Sequence, residues 1–286
     1  MLAMARLTFL EGSRKKVFLI TLLLSLVFLL LYGLALEFAS REMLRLDVAG
    51  PQQVMIQQII GHQLLGSGLY FASFILALLA LLASVGSIAS EIENGLMHAV
   101  VSKPIKRWEI VLGKFLGYTG MLIGYALLLY VGVIAINRLY NPLALTLAGP
   151  ESIFYSALLF VWQPVVLLAL ALLLSTLLRT ITAGIVAVLL YGLGSIGGFL
   201  EQIGSMVARA DLLNIGIAIS LFMPNDALYR KMLATVTTTD GNPLQAMTVG
   251  PFGISMPPTN AMVWYTLFYV ILCLALAVYT FQKRDL

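Results

Sequence analysis

Long stretches without a charged residue organise the chain. Six runs free of Asp, Glu, Lys and Arg reach 20 residues: 17–36, 48–90, 115–137, 152–178, 180–200 and 241–282. A helix needs about 20 mainly apolar residues to cross a ~30 Å hydrocarbon layer, and charge at that depth is costly. Two runs are too long for one helix. Gly50-Pro51-Gln52-Gln53 and Gln57-Gln58 mark a loop, leaving 67–90 as the second span. Pro251, Pro257-Pro258 and Asn260 mark another, leaving 262–282 as the sixth. Leu212 to Pro224 is apolar but too short to cross, and reads as a re-entrant or interfacial segment. Residues 1–16 alternate Leu2, Leu7, Phe9 and Leu10 with Arg6 and Glu11. We expect a short interfacial helix there, either a lever at the membrane surface or a simple anchor.

Composition narrows the class. Hydrophobic residues make up 60% of the 286 residues and charged residues 10%, with a mean hydropathy of +0.98. Soluble domains carry about 25% charged residues, so neither a soluble surface nor a disordered chain can be built from this sequence. The fold class expected is an all-α polytopic membrane protein with six transmembrane helices, forming one transmembrane domain over 1–286. The lone Cys273 excludes an internal disulfide and lies in an apolar run, as an inert core residue would.

The net charge of +4 follows membrane topology. With a cytoplasmic N-terminus, the inner segments hold Arg6, Arg14, Lys15, Lys16, Lys103, Lys106, Arg107, Lys114, Arg179, Lys283 and Arg284. The outer ones hold Arg41, Arg45, Arg138, Arg209, Arg230 and Lys231, and most of the acids. The inner excess of basic residues places both termini in the cytoplasm. It also removes the need for a nucleic-acid partner to explain the charge. The first span is too long for the apolar core of a signal peptide and ends at Leu36-Glu37-Phe38 without a small-x-small cleavage site, so we expect it to be retained.

The six spans contain no Asp, Glu, Lys or Arg, and His62 and His98 both fall in loops. Ion-coupled carriers and charged-ring pores need such groups, so energy for transport must enter through a loop. Ser195, between glycines in Gly192-Leu193-Gly194-Ser195-Ile196-Gly197, lacks a base in another span, and we assign no catalytic residue. No phosphate-binding Gly-x-x-x-x-Gly-Lys-Ser/Thr occurs. Glycines four apart (Gly113 and Gly117, Gly120 and Gly124, Gly194 and Gly198) suit close helix packing, within one bundle or across a dimer seam. Trp162-Gln163-Pro164 puts a kink and an uncharged polar group in the fourth span. Gln163 could face a translocation path or bond a neighbouring backbone.

The loop from Glu91 to Glu109 carries the most information. A helix is expected from Glu91 to Ser102, because Glu91 and Glu93 suit its N-terminal end and Pro104 disfavours helical geometry at Lys103. Wound at about 100° per residue, Glu91, Asn94, His98 and Ser102 share one face opposite Ile92, Leu96, Ala99 and Val100. Glu93 lands among the apolar residues and needs a partner, with Lys114 and Arg107 as candidates. By physics alone this is an amphipathic surface helix, or a basic connector that enforces topology.

The run Glu91-x-Glu93-x-Gly95, then Pro104-Ile105, Lys106 and Gly113-Lys114, resembles the permeases of type-2 ABC exporters. Six spans, a large outer segment between the last two and the C-terminal Phe281-Gln282-Lys283-Arg284-Asp285-Leu286 agree with that resemblance. Pro224-Asn225-Asp226-Ala227-Leu228-Tyr229-Arg230 is similar to members related to the nitrous-oxide reductase maturation permease. Leu96 and His98 depart from the Thr and the acidic residue common near those positions.

The resemblance implies a non-enzymatic permease in a prokaryotic cytoplasmic membrane. It would pair with a second copy or a sibling, and dock two copies of a soluble ABC ATPase that hold the ATP and Mg. The 91–114 loop would carry the coupling helix, with Glu91, Glu93, Asn94, Gly95, His98, Ser102, Lys103 and Pro104 at the ATPase contact. No cofactor or metal is expected on this chain. Gln163, Gly194 and Gly198 are candidates for the path or for packing. The 201–261 segment would carry short re-entrant helices facing lipid, a lipid-like substrate or an extracytoplasmic partner. Its methionines, Met206, Met223, Met232, Met247 and Met256, with Met262 just beyond it, form no compact copper cluster by spacing. The alternatives are a membrane anchor or regulatory subunit of another complex, and an ATP-independent carrier or channel.

Overall fold

The structure, a computed structural model, describes residues 1–45, 51–95, 106–145, 148–237 and 257–284. Among the described residues there are helices and no strands. In chain order they are α1 (Leu2–Arg14), α2 (Lys16–Arg45), α3 (Pro51–Ser84), α4 (Gly86–Glu93) and α5 (Arg107–Tyr140). A 3-10 turn (Pro142–Leu145) follows, then α6 (Pro150–Leu177), α7 (Thr180–Met206), α8 (Ala210–Phe222), α9 (Asn225–Thr237) and α10 (Asn260–Lys283).

Among the described residues, six segments are long and apolar enough to cross a membrane: Lys16–Glu42, Gln57–Glu93, Arg107–Tyr140, Pro150–Leu177, Thr180–Met206 and Asn260–Lys283. They show a multi-pass membrane protein. Most overrun the charge-free runs, because a helix continues past the hydrocarbon boundary while its charged side chains reach for the interface. Of the loop expected at 50–58, residues 51–58 are helical instead. Pro51 fits the first position of α3, where its missing N–H costs nothing, and the glutamines that follow are good helix formers. His62 therefore lies in a helix, not a loop. Residues 201–206 likewise belong to α7 rather than to the segment after it.

The centre of the bundle is α6. From Val165 to Leu172 it is apolar on every side and buried, as a helix surrounded by others must be. It touches α3, α4, α5, α7, α9 and α10. Pro164 sits inside it, removing one backbone hydrogen bond without ending the helix. The outer helices α2, α7 and α10 keep broad apolar faces exposed, including Leu30, Ile181 and Trp264. A soluble protein could not carry such faces, and lipid can cover them.

Glycine decides the closest approaches. A Cβ on Gly113 would stand 2.6 Å from Met4 Cβ, and one on Gly117 2.7 Å from the Ala5 carbonyl oxygen. Met4, Thr8 and Gly12 thus meet Gly113, Gly117 and Met121 at matching steps of four, and α1 follows α5 in the same sense. Helices α8 and α9 pass the length and composition test only as a pair, bent by 103°. Helix α8 folds back on α7, where a Cβ on Gly204 would stand 2.7 Å from the Leu213 nitrogen.

That contact yields the first prediction. Gly204→Ala pushes a methyl group into backbone that cannot yield, and should cost about 1–3 kcal/mol. A Cβ on Gly124 would find nothing within 4 Å, so Gly124→Ala should be neutral or add up to about 1 kcal/mol. Unfolding in mixed detergent micelles, followed by circular dichroism, compares the two.

Candidate coupling site

The Glu91 loop begins just beyond α4, which Val85 separates from α3. In the first turn of α4 a side chain from another helix meets the backbone N–H groups. Ser175 Oγ of α6 accepts the N–H groups of Ile88 and Ala89 at 3.1 and 2.9 Å. This ties the start of α4 to the central helix.

Helix α4 ends at Glu93. Asn94 closes it through its N–H to the Ser90 carbonyl at 2.9 Å, and Gly95 follows with φ +70°. That left-handed backbone suits glycine and terminates the helix. The single helix expected from Glu91 to Ser102 is therefore interrupted at Gly95. His98, Ser102, Lys103 and Pro104 lie outside the described residues.

The two carboxylates before Gly95 have different partners. Lys114 Nζ donates to Glu91 Oε1 and, at 2.5 Å, to the Ser87 carbonyl. Lys114 is only 3% exposed, so its ammonium is compensated inside the protein rather than by water. Of the two candidate partners for Glu93, Lys114 pairs with Glu91 instead and Arg107 donates to carbonyls at the end of α10. Glu93 turns outward to the start of α7. Its Oε1 accepts the Thr180 N–H at 2.9 Å, and its Oε2 accepts the Thr180 hydroxyl at 3.0 Å. A carboxylate at a helix N-terminus meets free N–H groups and the positive end of the dipole.

The far side of the loop is tied down as well. Arg107, which opens α5, donates to the carbonyls of Phe281, Gln282 and Arg284 at 3.3, 2.9 and 2.8 Å. These are the last carbonyls of α10 and its cap, where a cation is favoured. Arg284 in turn donates to the Thr176 carbonyl of α6 at 2.8 Å. Nearby, Lys15 at the α1–α2 junction donates to the Tyr118 hydroxyl at 3.0 Å and pairs with Glu11 at 3.3 Å. Burial works against the Lys15 charge, but Tyr118 and Glu11 outweigh it and hold the ammonium above its ordinary value. The segment between Glu93 and Arg107 thus hangs from α4 and α5, whose ends are bonded to α6, α7 and α10.

The Glu-x-Glu-x-Gly and Gly-Lys elements, apart in sequence, meet in space. The sequence pattern of the ABC-2 family transporter proteins matches residues 2–286. The chain belongs to that family. This ABC-2 protein is accordingly a membrane-embedded permease subunit of an ABC transporter, a family of transmembrane subunits generally not catalytic themselves. Among curated proteins no relative matches.

The remaining candidate residues lie elsewhere in this permease. Gln163 is 2% exposed and its Nε2 faces Met232 Sδ of α9 at 3.8 Å. Gly194 receives Met223, and Gly198 receives Asp226, at the start of α9. In the single chain all three are contacts between helices. Ser175 and Thr180 escape a sequence search, since a hydroxyl within or beside an apolar run is ordinary there. Also missed is a buried ion cluster of Glu201, Asp226 and Arg230, whose only local signal is an acid and an arginine four apart.

Removing either partner of the Glu91–Lys114 pair isolates a charge. Glu91→Gln, which leaves the more deeply buried Lys114 unpaired, should cost about 3–5 kcal/mol, and Lys114→Met less. The double variant should recover most of the loss. A double-mutant cycle on micellar unfolding measures the coupling.

Proposed function

We propose that this permease is the membrane half of an ATP-driven exporter. A separate soluble ATPase would drive it through the segment between Glu93 and Arg107. The observation that carries this is the bracing of that segment's two ends. Glu91 and Glu93 bond α4 to α5 and α7, while Arg107 bonds α5 to α10. A displacement applied there is delivered to several spans at once, as mechanical coupling requires and a passive connector does not.

In this proposal the termini and the Glu91 loop are cytoplasmic, in keeping with the basic residues collected at that end. Glu91, Glu93, Asn94 and Gly95 set the position of the coupling segment. His98, Ser102, Lys103 and Pro104 would supply its contact with the ATPase. Two permeases and two ATPases form the working unit, with ATP and Mg on the ATPase, and the broad exposed faces of α2, α7 and α10 offer surface for lipid and for the second permease. The mostly uncharged spans favour an apolar or amphipathic cargo over a small ion.

The chain offers a clean test, because its single cysteine, Cys273, is buried. Ser102→Cys should cross-link to a co-expressed ATPase with a phosphate-binding loop, and should react with an impermeant thiol reagent only from the cytoplasmic side. Glu93→Lys should leave the ATPase bound while lowering its permease-dependent hydrolysis by about tenfold or more. Labelling from outside, or hydrolysis unchanged by Glu93→Lys, would overturn the assignment.

A further inference from the structure

A second polar constellation lies at the other end of the bundle, outside the coupling machinery. Helix α7 starts at Thr180 beside Glu93, and Glu201 lies 21 residues further along it, roughly 30 Å away at ~1.5 Å per residue. There Arg230 of α9 is 3% exposed. Its Nη2 donates to Glu201 Oε2 at 2.5 Å and its Nε to Asp226 Oδ2 at 2.9 Å. The guanidinium is shared between two carboxylates, so the ionised cluster carries an excess negative charge.

A cavity of about 270 Å³ opens beside this cluster, between α7, α8, α9 and the first turn of α10. Glu201, Arg230 and Ser220 form its polar end, and Leu213, Ile217 and Met262 are among its apolar walls. Ser220 is 2% exposed, and its hydroxyl has no hydrogen-bond partner among the described residues. A buried hydroxyl without a partner is costly, and a bound polar head would relieve it.

We propose that this cavity binds a single-chain amphipathic cation, an alkylammonium in chemical class. Its head sits by Glu201 and Ser220, and its tail lies along Leu213 and Ile217. The charge balance selects the sign. An anion would meet the excess carboxylate charge, with Arg230 already engaged by both acids. A bare metal ion is disfavoured by the donor set, since among the described residues no three His, Cys, Asp or Glu side chains group to hold one. A wholly apolar molecule would leave Ser220 unsatisfied. The volume lies at the small end of ligand pockets, which excludes a two-chain lipid body. Binding is a property of this chain alone and does not rest on ATPase coupling.

The test uses the full chain in nanodiscs of an uncharged galactolipid, with radiolabelled octylammonium, whose N–H groups can donate to both Ser220 and Glu201, in equilibrium dialysis. Saturable binding is expected, with octyl sulfate competing at least about tenfold less well than the unlabelled cation. Ile217→Trp, which fills the cavity from exposed α8 without touching the ion cluster, should remove the saturable component. Glu201→Gln should weaken it by about tenfold. Absence of saturable binding, equal competition by octyl sulfate, or binding indifferent to Ile217→Trp would overturn the proposal.

Discussion

An ammonium group inside a helix bundle needs a fixed partner, and the site depends on that requirement. Lys114 is buried in the second turn of α5, away from the water that would normally solvate it. Its charge is met by Glu91 and by the Ser87 carbonyl, both on α4. Because an unpaired charge at that depth is far more costly than a broken surface pair, α4 and α5 are held at one spacing. The loop between them inherits that geometry. Glu93 and Arg107 then extend it outward, each by capping the end of another helix.

Lipid explains why these contacts take the form they do. Helices in a bilayer gain little from burying apolar surface against each other, so close packing and hydrogen bonding decide which faces meet. Glycines therefore mark the tight seams: Gly113 and Gly117 under α1, Gly194 and Gly198 under the start of α9, and Gly204 under α8. Serine and threonine hydroxyls join the seams by hydrogen bonds, as Ser175 does at the first turn of α4. The two polar constellations occupy opposite ends of the bundle, with the apolar length of α6 running between the layers. That separation keeps both sets of charges away from mid-depth.

The Arg230 cluster shows the same physics with a different outcome. Its three ionisable groups come from α7 and α9, and they hold the short α9 against a spanning helix. Here the carboxylates outnumber the cation, whereas at the other end Glu91 and Lys114 balance. The imbalance, beside a cavity with an unpartnered hydroxyl, is what distinguishes a site that could take a ligand from one that merely joins two helices.

The sequence by itself determined the class and the six spans. Both follow from quantities local to the chain: runs without charge, and the Glu-x-Glu-x-Gly and Gly-Lys elements. It misplaced what depends on neighbours. A polar stretch such as Gln52-Gln53 is as compatible with a helix extending beyond the bilayer as with a loop. The wheel drawn from Glu91 to Ser102 assumed a helix that Gly95 ends, although Gly95 itself was visible. Which acid meets Lys114, why Glu93 points at Thr180, and that Glu201 meets Arg230 were decided only by tertiary structure. Each pairing joins residues far apart in the chain, and long-range proximity in a lipid-embedded bundle is set by the packing of whole helices rather than by any local pattern.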